Sequence, residues 1–199
     1  MMTARKNVFH KSAEPAEGVY IRGYDFDKGV NYERIIDSFN TTGFQATNLA
    51  KAIEIINDMR KQKCIIYIGY TSNLVTSGLR DIFRYLAKHK MIDLIVTTAG
   101  GVEEDIIKCL KPFILGNFDA DGATLRKKGI NRTGNIFVPN SRYEMFENFL
   151  TPILKELNDK QMSTGRIITP SEFVEILGKE IDNIESIYYW CYKNKIPVF

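Results

Sequence analysis

The sequence is poor in cysteine and histidine. Its 199 residues contain 3 cysteines and 2 histidines. Cys64, Cys109 and Cys191 are far apart and form no Cys-x-x-Cys pair, so we expect neither a disulfide framework nor a metal site. Isolated free thiols are typical of a reducing compartment, which predicts a cytoplasmic protein. With so few histidines, no Ser/His/Asp or Cys/His catalytic set can be assembled.

The sequence also lacks a long apolar run, a secretory signal and a charged cluster. Its longest apolar stretches are far shorter than the roughly 20 residues that a membrane-spanning helix needs. The polar N-terminus contains no apolar core of the kind found in signal peptides. The formal net charge of +3 is spread along the chain, whereas nucleic-acid binding requires clustered Lys and Arg. We therefore expect no nucleic-acid partner and no membrane partner.

What is present is the composition of one domain with a buried core, since 44% of the residues are hydrophobic. Residues 1–18 are polar and unpatterned, which predicts a mobile N-terminal arm. From residue 19 to residue 199 helical and strand patterns alternate. This predicts an α/β domain of Rossmann-like, doubly wound type, with a mostly parallel sheet and helices on both faces. The strand candidates, apolar and taken as covered on both faces, are 64–70, 94–97 and 135–139, with 196–199 opening a fourth.

Apolar residues recur at helical spacing between these strands. The predicted helices start near Asn31, span 46–61, span 75–86, start near Val102, span 143–157 and include 188–190. The segment 169–172 predicts a further helix start. Thr169 can cap it, Pro170 suits the first turn, and Glu172 can bond back to the cap.

Polar turns follow the predicted strands, where ligands bind in sheets of this kind. The turns in question follow Tyr70, Thr98 and Pro139. After Tyr70, small hydroxyl groups and free backbone N–H groups at a helix start could bind an anion. Capping of that helix by Ser72 or Asn73 explains the same residues. Neither GxGxxG nor GxxxxGK[ST] is present, so the pattern alone leaves both interpretations open.

The turn after the second strand combines two glycines with three carboxylates. Gly100 and Gly101 would let the backbone approach a ligand closely. The carboxylates of Glu103, Glu104 and Asp105 would bind a cationic substrate if they lie at the edge of the sheet where ligands bind. Alternatively, they complement the dipole at the start of a helix. The residues alone leave these alternatives open as well.

Longer motifs are more specific. The run Thr-Thr-Ala-Gly-Gly-Val-Glu-Glu-Asp at 97–105 is the most characteristic of them. The other motifs are 22–26, 29–32, 41–48, 69–74, 129–132 and 196–199, which occur in the order found in deoxyhypusine synthases. From about residue 20 to its end, the chain resembles this family.

The resemblance implies an NAD-dependent enzyme of hypusine biosynthesis. Members oxidise spermidine, carry its aminobutyl group as an imine on an enzyme lysine, and transfer it to a lysine of the eukaryotic translation factor 5A precursor. The family forms tetramers with active sites between subunits, which implies a homo- or hetero-oligomer with synthase subunits. By motif, substrate contacts are implied for Glu103 and Glu104. Implied cofactor contacts come from Ser72, Asn73, Leu74, Val75, Thr76, Thr98, Ala99, Gly100 and Glu104.

The family's Trp-Gly-Lys segment, which bears the nucleophilic lysine, has no counterpart in these 199 residues. Trp190 precedes Cys191, and Gly178-Lys179 follows no Trp. We therefore assign no catalytic residue and expect an incomplete synthase sequence that is inactive alone. Residues 19–199 would form a partial NAD-binding domain with a truncated sheet. The alternative is a shortened, non-catalytic paralogue that regulates a complete synthase subunit.

Overall fold

The computed structural model describes residues 18–199. The predicted arm at 1–18 therefore lies outside the described residues, apart from Gly18. The chain divides into two compact units, residues 1–64 and residues 65–199. The sequence patterns give no signal for a boundary at this position.

The first unit is helical in its described part. A 3₁₀ helix at Phe26–Lys28 precedes α1 (Tyr32–Asp37), α2 (Phe39–Thr42) and α3 (Phe44–Lys61). The side-chain oxygen of Asn31 accepts the backbone N–H of Arg34 at 3.0 Å, which starts α1 where a helix is predicted. The helix predicted at 46–61 is confirmed as α3.

The second unit alternates helices with strands, so the α/β class is confirmed. Its first elements are β1 (Tyr67–Tyr70), α4 (Ser72–Thr76), α5 (Arg80–Lys88), β2 (Leu94–Thr97) and α6 (Ala99–Leu110). There follow β3 (Ile114–Leu115), α7 (Gly122–Lys127), β4 (Ile130–Thr133), β5 (Ile136–Pro139), α8 (Ser141–Thr164), α9 (Pro170–Glu180) and α10 (Ile187–Asn194). No helix among residues 18–199 is both long enough and apolar enough to cross a bilayer.

A small parallel sheet lies at the centre of this unit. β1 pairs with β2 in parallel, with Tyr70 opposite Thr97. Val198 forms an isolated parallel bridge to Ile95 on the other side of β2, which agrees with the expectation that residues 196–199 open a further strand. The buried core packs around these strands, and Ile95, Ile106 and Tyr188 are all completely buried.

The prediction that 135–139 is a third strand of this parallel sheet is wrong. β5 is the central strand of a separate antiparallel sheet in the order β3–β5–β4. Thr133 of β4 pairs with Ile136 of β5 across a two-residue turn, in which Gly134 has a φ of 58°. Hairpin turns of this length need such left-handed conformations. The turn after Pro139 therefore lies beyond an antiparallel strand and not at the edge of the parallel sheet.

The predicted helix 75–86 is also corrected, because it consists of α4 and α5 with a break between them. The ammonium of Lys108 donates to the carbonyl oxygens of Val75, Thr76 and Ser77 at 2.8, 3.0 and 2.9 Å. A continuing α-helix would use those carbonyls to accept its own N–H groups. The first helix therefore ends at Thr76.

The first predicted strand is shorter than 64–70, since β1 begins at Tyr67. The prediction that the strands are covered on both faces is wrong as well. Tyr70 and Ile95 are buried, but Tyr67 is 67% and Val96 50% exposed. A continuously apolar segment carries no alternation, so its sequence does not distinguish one covered face from two.

The predicted start of α9 is confirmed in full. The hydroxyl of Thr169 accepts the N–H of Glu172 at 3.3 Å, and the Glu172 carboxylate accepts the N–H of Thr169 at 2.9 Å. Pro170 is the first helical residue. This reciprocal pair is a capping box, which is encoded entirely by neighbouring residues.

Candidate functional site

The two bends that the sequence predicts as ligand sites lie side by side. β1 and β2 run in parallel and end opposite each other at Tyr70 and Thr97, where the Thr97 hydroxyl donates to the Tyr70 carbonyl at 3.0 Å. The chain continues from β1 into α4 and from β2 into α6. Residues 71–77 and 97–105 therefore share one edge of the sheet, which we call the rim.

The paired glycines of the rim allow close packing, Gly100 against the other bend and Gly101 against the end of β2. A Cβ atom on Gly100 would lie 3.0 Å from Cβ and 3.3 Å from Oγ of Ser72. A Cβ atom on Gly101 would lie 2.4 Å from the hydroxyl oxygen of Thr97. The structure shows that these glycines make room for Ser72 of the other bend and for Thr97 at the end of β2. That they also let the backbone approach a ligand closely stays a prediction.

The two helices of the rim begin in different ways, and the start of α4 differs from the capping alternative. Thr98 is the N-cap of α6, and its hydroxyl accepts the N–H of Gly101 at 3.3 Å. Thr71 is the N-cap of α4 and makes no capping hydrogen bond through its side chain. Capping by Ser72 or Asn73 is therefore wrong, because both are already helical. Ser72 is half-buried and Asn73 is exposed on the rim.

A hydrogen bond joins the two bends. The buried Thr76 donates its hydroxyl proton to the carboxylate of Glu104. Burial raises the pKa of Glu104; the Thr76 hydrogen bond opposes that rise and the neighbouring Glu103 adds to it. Burial also raises the pKa of Glu103. Two half-buried carboxylates with incomplete charge compensation form a favourable site for a cation.

Asp105 does not belong to this pair. It is completely buried and bonded to Arg80 and Ser186, so it holds the core together. The helix-dipole alternative is also wrong, because α6 begins at Ala99 and no acidic residue lies in its first turn. Glu103 and Glu104 therefore remain as the candidate substrate carboxylates.

An apolar cavity opens beside these carboxylates. It has a volume of about 400 Å³. Its lining includes Thr98, Ala99, Glu103, Phe146, Phe173 and Phe199. Apolar walls with one carboxylate at the edge suit an aliphatic chain that ends in an ammonium group.

The remaining predicted cofactor residues differ in accessibility. Thr98 and Ala99 are exposed on the rim, and Leu74 is half-buried. Val75 is completely buried within the hydrophobic core. Its side chain is therefore committed to packing, and any contact with a ligand would have to come from its backbone.

Sequence reasoning missed two residues of this region, Lys108 and Tyr143. Burial lowers the pKa of Lys108, and the nearby Arg80 adds to that effect. Burial raises the pKa of Tyr143, and the charges of Glu103 and Glu104 add to it, so this residue of α8 lies near both carboxylates. Lys108 lies four residues after Glu104 and so on the same helix face, a usable signal. Tyr143 reaches the site only through tertiary packing.

Known proteins similar to this chain agree on one family. The family model described as deoxyhypusine synthase matches residues 34–199. A Nicotiana tabacum deoxyhypusine synthase is 44% identical over 225 aligned residues, covering 100% of this chain and 59% of its own length. A "Probable deoxyhypusine synthase" of Methanocaldococcus jannaschii is 50% identical over 202 residues, covering 95% of this chain and 61% of its own length.

A solved structure supports the same relationship at the level of the fold. The crystal structure of an Entamoeba histolytica protein assigned to deoxyhypusine synthase superposes with a TM-score of 0.67 and 34% identity. The match covers 90% of this chain and 61% of that one. The chain thus spans about three fifths of the length of these similar proteins.

Proposed function

Because the chain belongs to the deoxyhypusine synthase family, we propose that it carries the NAD-binding rim of the enzyme. That enzyme transfers the aminobutyl group of spermidine to a lysine of the eukaryotic translation factor 5A precursor. The observation that carries the proposal is the hydrogen bond from Thr76 to Glu104, which joins the two bends. In the proposal, β1, β2 and the bridge at Val198 belong to a doubly wound sheet.

The chemistry of the rim fits a dinucleotide. Ser72 and Asn73 offer hydroxyl and amide groups from one bend, and Thr98 adds a hydroxyl group from the other. The N-terminus of α6, a helix of 12 residues, directs backbone N–H groups toward the same edge. Bound NAD would supply a hydride acceptor for the oxidation of the amine. Ala99 and Gly100 would contact it through their backbone, and Leu74 through apolar atoms.

The carboxylates of the rim would hold the cationic substrate. Glu103 lies at the edge of the apolar cavity, which would accept the methylene chain of spermidine. The Thr76 hydroxyl orients the Glu104 carboxylate, so that an ammonium group meets a fixed acceptor. The role of these residues is to position the carbon that loses hydride next to the cofactor.

The proposal extends to the enzyme's assembly and location. We place the chain in an oligomer with synthase subunits, homomeric or heteromeric, in the cytoplasm. Family membership supports both points. The three cysteines are unpaired, which agrees with a reducing compartment.

Gly100→Val is expected to abolish most NAD binding. The valine side chain would displace Ser72, which a Cβ atom at this position already approaches to 3.0 Å. Saturation-transfer NMR on the purified protein measures the effect and detects weak binding. Gly122→Val in α7 is the matched control, because no atom lies within 4 Å of a Cβ atom there.

Circular dichroism establishes that both glycine variants are folded. Because the chain is expected to be inactive alone, label transfer from spermidine to the precursor protein is assayed with a complete synthase subunit added. Any transfer that depends on this chain should fall in Gly100→Val together with NAD binding. An undiminished NAD signal in folded Gly100→Val would contradict the proposed cofactor site.

Spermidine binding is expected to weaken at least about tenfold when Glu103 and Glu104 are both replaced by Gln, because charge-assisted hydrogen bonds are lost. Burial raises the pKa of both carboxyl groups. As the pH is lowered, wild-type binding should therefore begin to decline at a higher pH than it would if both glutamates had ordinary pKa values. Calorimetry across the acidic range measures both effects. Glu147→Gln, on an exposed part of α8, should bind like the wild type.

The pH series also separates charge from shape. The double Gln variant has no carboxyl group to protonate at these positions, so its weak binding should not change over the same range. If spermidine affinity changed with pH in the same way in the wild type and in the double variant, the cation would bind elsewhere.

A further inference from the structure

Lys108 contacts the rim through its side chain, although the proposed function gives it no role. Its ammonium group is half-buried and donates to three successive carbonyls, those of Val75, Thr76 and Ser77. The distances of 2.8, 3.0 and 2.9 Å are those of good hydrogen bonds. The last carbonyl groups of a helix accept no hydrogen bond from their own helix. Where water does not reach them, a side chain must donate the hydrogen bond.

The helix that Lys108 ends is too short to be stable alone. α4 has five residues, and isolated helices of that length do not form in water. Its position must therefore come from tertiary contacts. Lys108 supplies the cation that also complements the negative end of a helix dipole.

Lys108 and Glu104 hold the same residue of α4. The carbonyl of Thr76 accepts from Lys108 at 3.0 Å, while its hydroxyl donates to Glu104. Glu104 and Lys108 are one helical turn apart on α6, so both contacts come from one rigid helix face. A displacement of α4 would break both contacts at once and move Ser72 relative to Gly100.

We propose that Lys108 is a positioning residue of the rim. Its ammonium group fixes the end of α4 and thereby sets the place of Ser72, Asn73 and Thr76 for a bound dinucleotide. This inference rests on the proposed NAD site and goes further, because it names the residue that determines the shape of one wall. Lys108 acts through α4 and need not touch the ligand.

Lys108→Met tests the inference, with Lys155→Met as the matched control, because Lys155 is exposed on α8. Hydrogen exchange by mass spectrometry should show roughly tenfold faster exchange in peptides covering 71–79, because hydrogen bonds from a charged group are lost. Peptides from α8 and α9 should exchange at the wild-type rate. NAD affinity measured by NMR titration should also fall by roughly tenfold, because α4 would have to return to its place at the same cost before NAD binds.

The outcomes separate the alternatives. Unchanged exchange at 71–79, faster exchange throughout residues 65–199, or faster local exchange with unchanged NAD affinity would each overturn the inference. A wild type without any NAD signal would refute the proposed function, while the exchange data would still test the link between Lys108 and α4. If Lys108→Met does not fold, Lys108→Arg takes its place. A guanidinium is bulkier and holds its donors in one plane, so it should not reproduce all three hydrogen bonds of the ammonium, and local exchange should rise there too.

Discussion

Asp105→Ala is expected to lower the free energy of unfolding by about 3–5 kcal/mol, the usual effect of breaking a buried ion pair from one side. The carboxylate is completely buried. It accepts from Arg80 Nε at 2.7 Å, from Ser186 Oγ at 2.6 Å and from the N–H of Ile187 at 3.0 Å. Truncation would leave the Arg80 guanidinium buried without its anion and the first turn of α10 without an acceptor.

Urea unfolding followed by circular dichroism measures this loss. Asp159→Ala is the control, because Asp159 is exposed in α8 and the substitution makes the same change in helix propensity. It should stay within about 0.5 kcal/mol of the wild type. A midpoint for Asp105→Ala that matches this control would show that the buried network does not stabilise the fold.

A pair of substitutions separates the charge of Asp105 from its shape. Asp105→Asn keeps an acceptor for Ser186 and Ile187 but removes the anion that faces Arg80. Combining it with Arg80→Met removes both charges. The double variant should lose less free energy of unfolding than the sum of the losses of the two single variants, because neither charge is left buried alone. Strict additivity would mean that the ion pair contributes nothing.

Gly178→Ala is expected to cost about 2–3 kcal/mol through overpacking, although alanine is the better helix former. A Cβ atom at this position would lie 2.2 Å from the carbonyl oxygen and 2.7 Å from the carbonyl carbon of Tyr188. Both atoms belong to the backbone of α10, and Tyr188 is completely buried. The helices α9 and α10 therefore cannot move apart to make room for the methyl group without disturbing the core.

The same denaturant titration measures this variant. Gly122→Ala provides a matched comparison in α7, because nothing lies within 4 Å of an added Cβ atom. It should be neutral or stabilising by about 0.5–1 kcal/mol. If Gly178→Ala behaved like Gly122→Ala, the two helices would not approach as closely as the structure has them.

Features encoded by neighbouring residues could be predicted from the sequence. The capping box of Thr169 and Glu172 and the strand Leu94–Thr97 were predicted with their correct positions. The partners of β5 could not be predicted, because periodicity identifies a strand without naming the strand it pairs with. At the break between α4 and α5, the free carbonyls bond to Lys108, which lies more than 30 residues away.

The candidate site was predictable in its position and only partly in its residues. The parallel order of β1 and β2 was enough to place both bends on one edge. The acidic residues at 103–105 look alike in the sequence, but successive helical side chains point in different directions. Asp105 therefore points into the core, while Glu103 and Glu104 remain at the rim. The binding roles of the predicted residues stay predictions.

The hydrogen bonds of Asp105 also impose an order on the folding of the second unit. They connect α6 to Ser186 and Ile187, which lie 81 and 82 positions further along the chain. Contacts between such distant positions raise the contact order and slow folding, because a long loop must close before they form. During synthesis, Asp105 cannot bond to Ser186 and Ile187 until residue 187 has emerged. The link between α6 and α10 is therefore among the last contacts that the second unit can make.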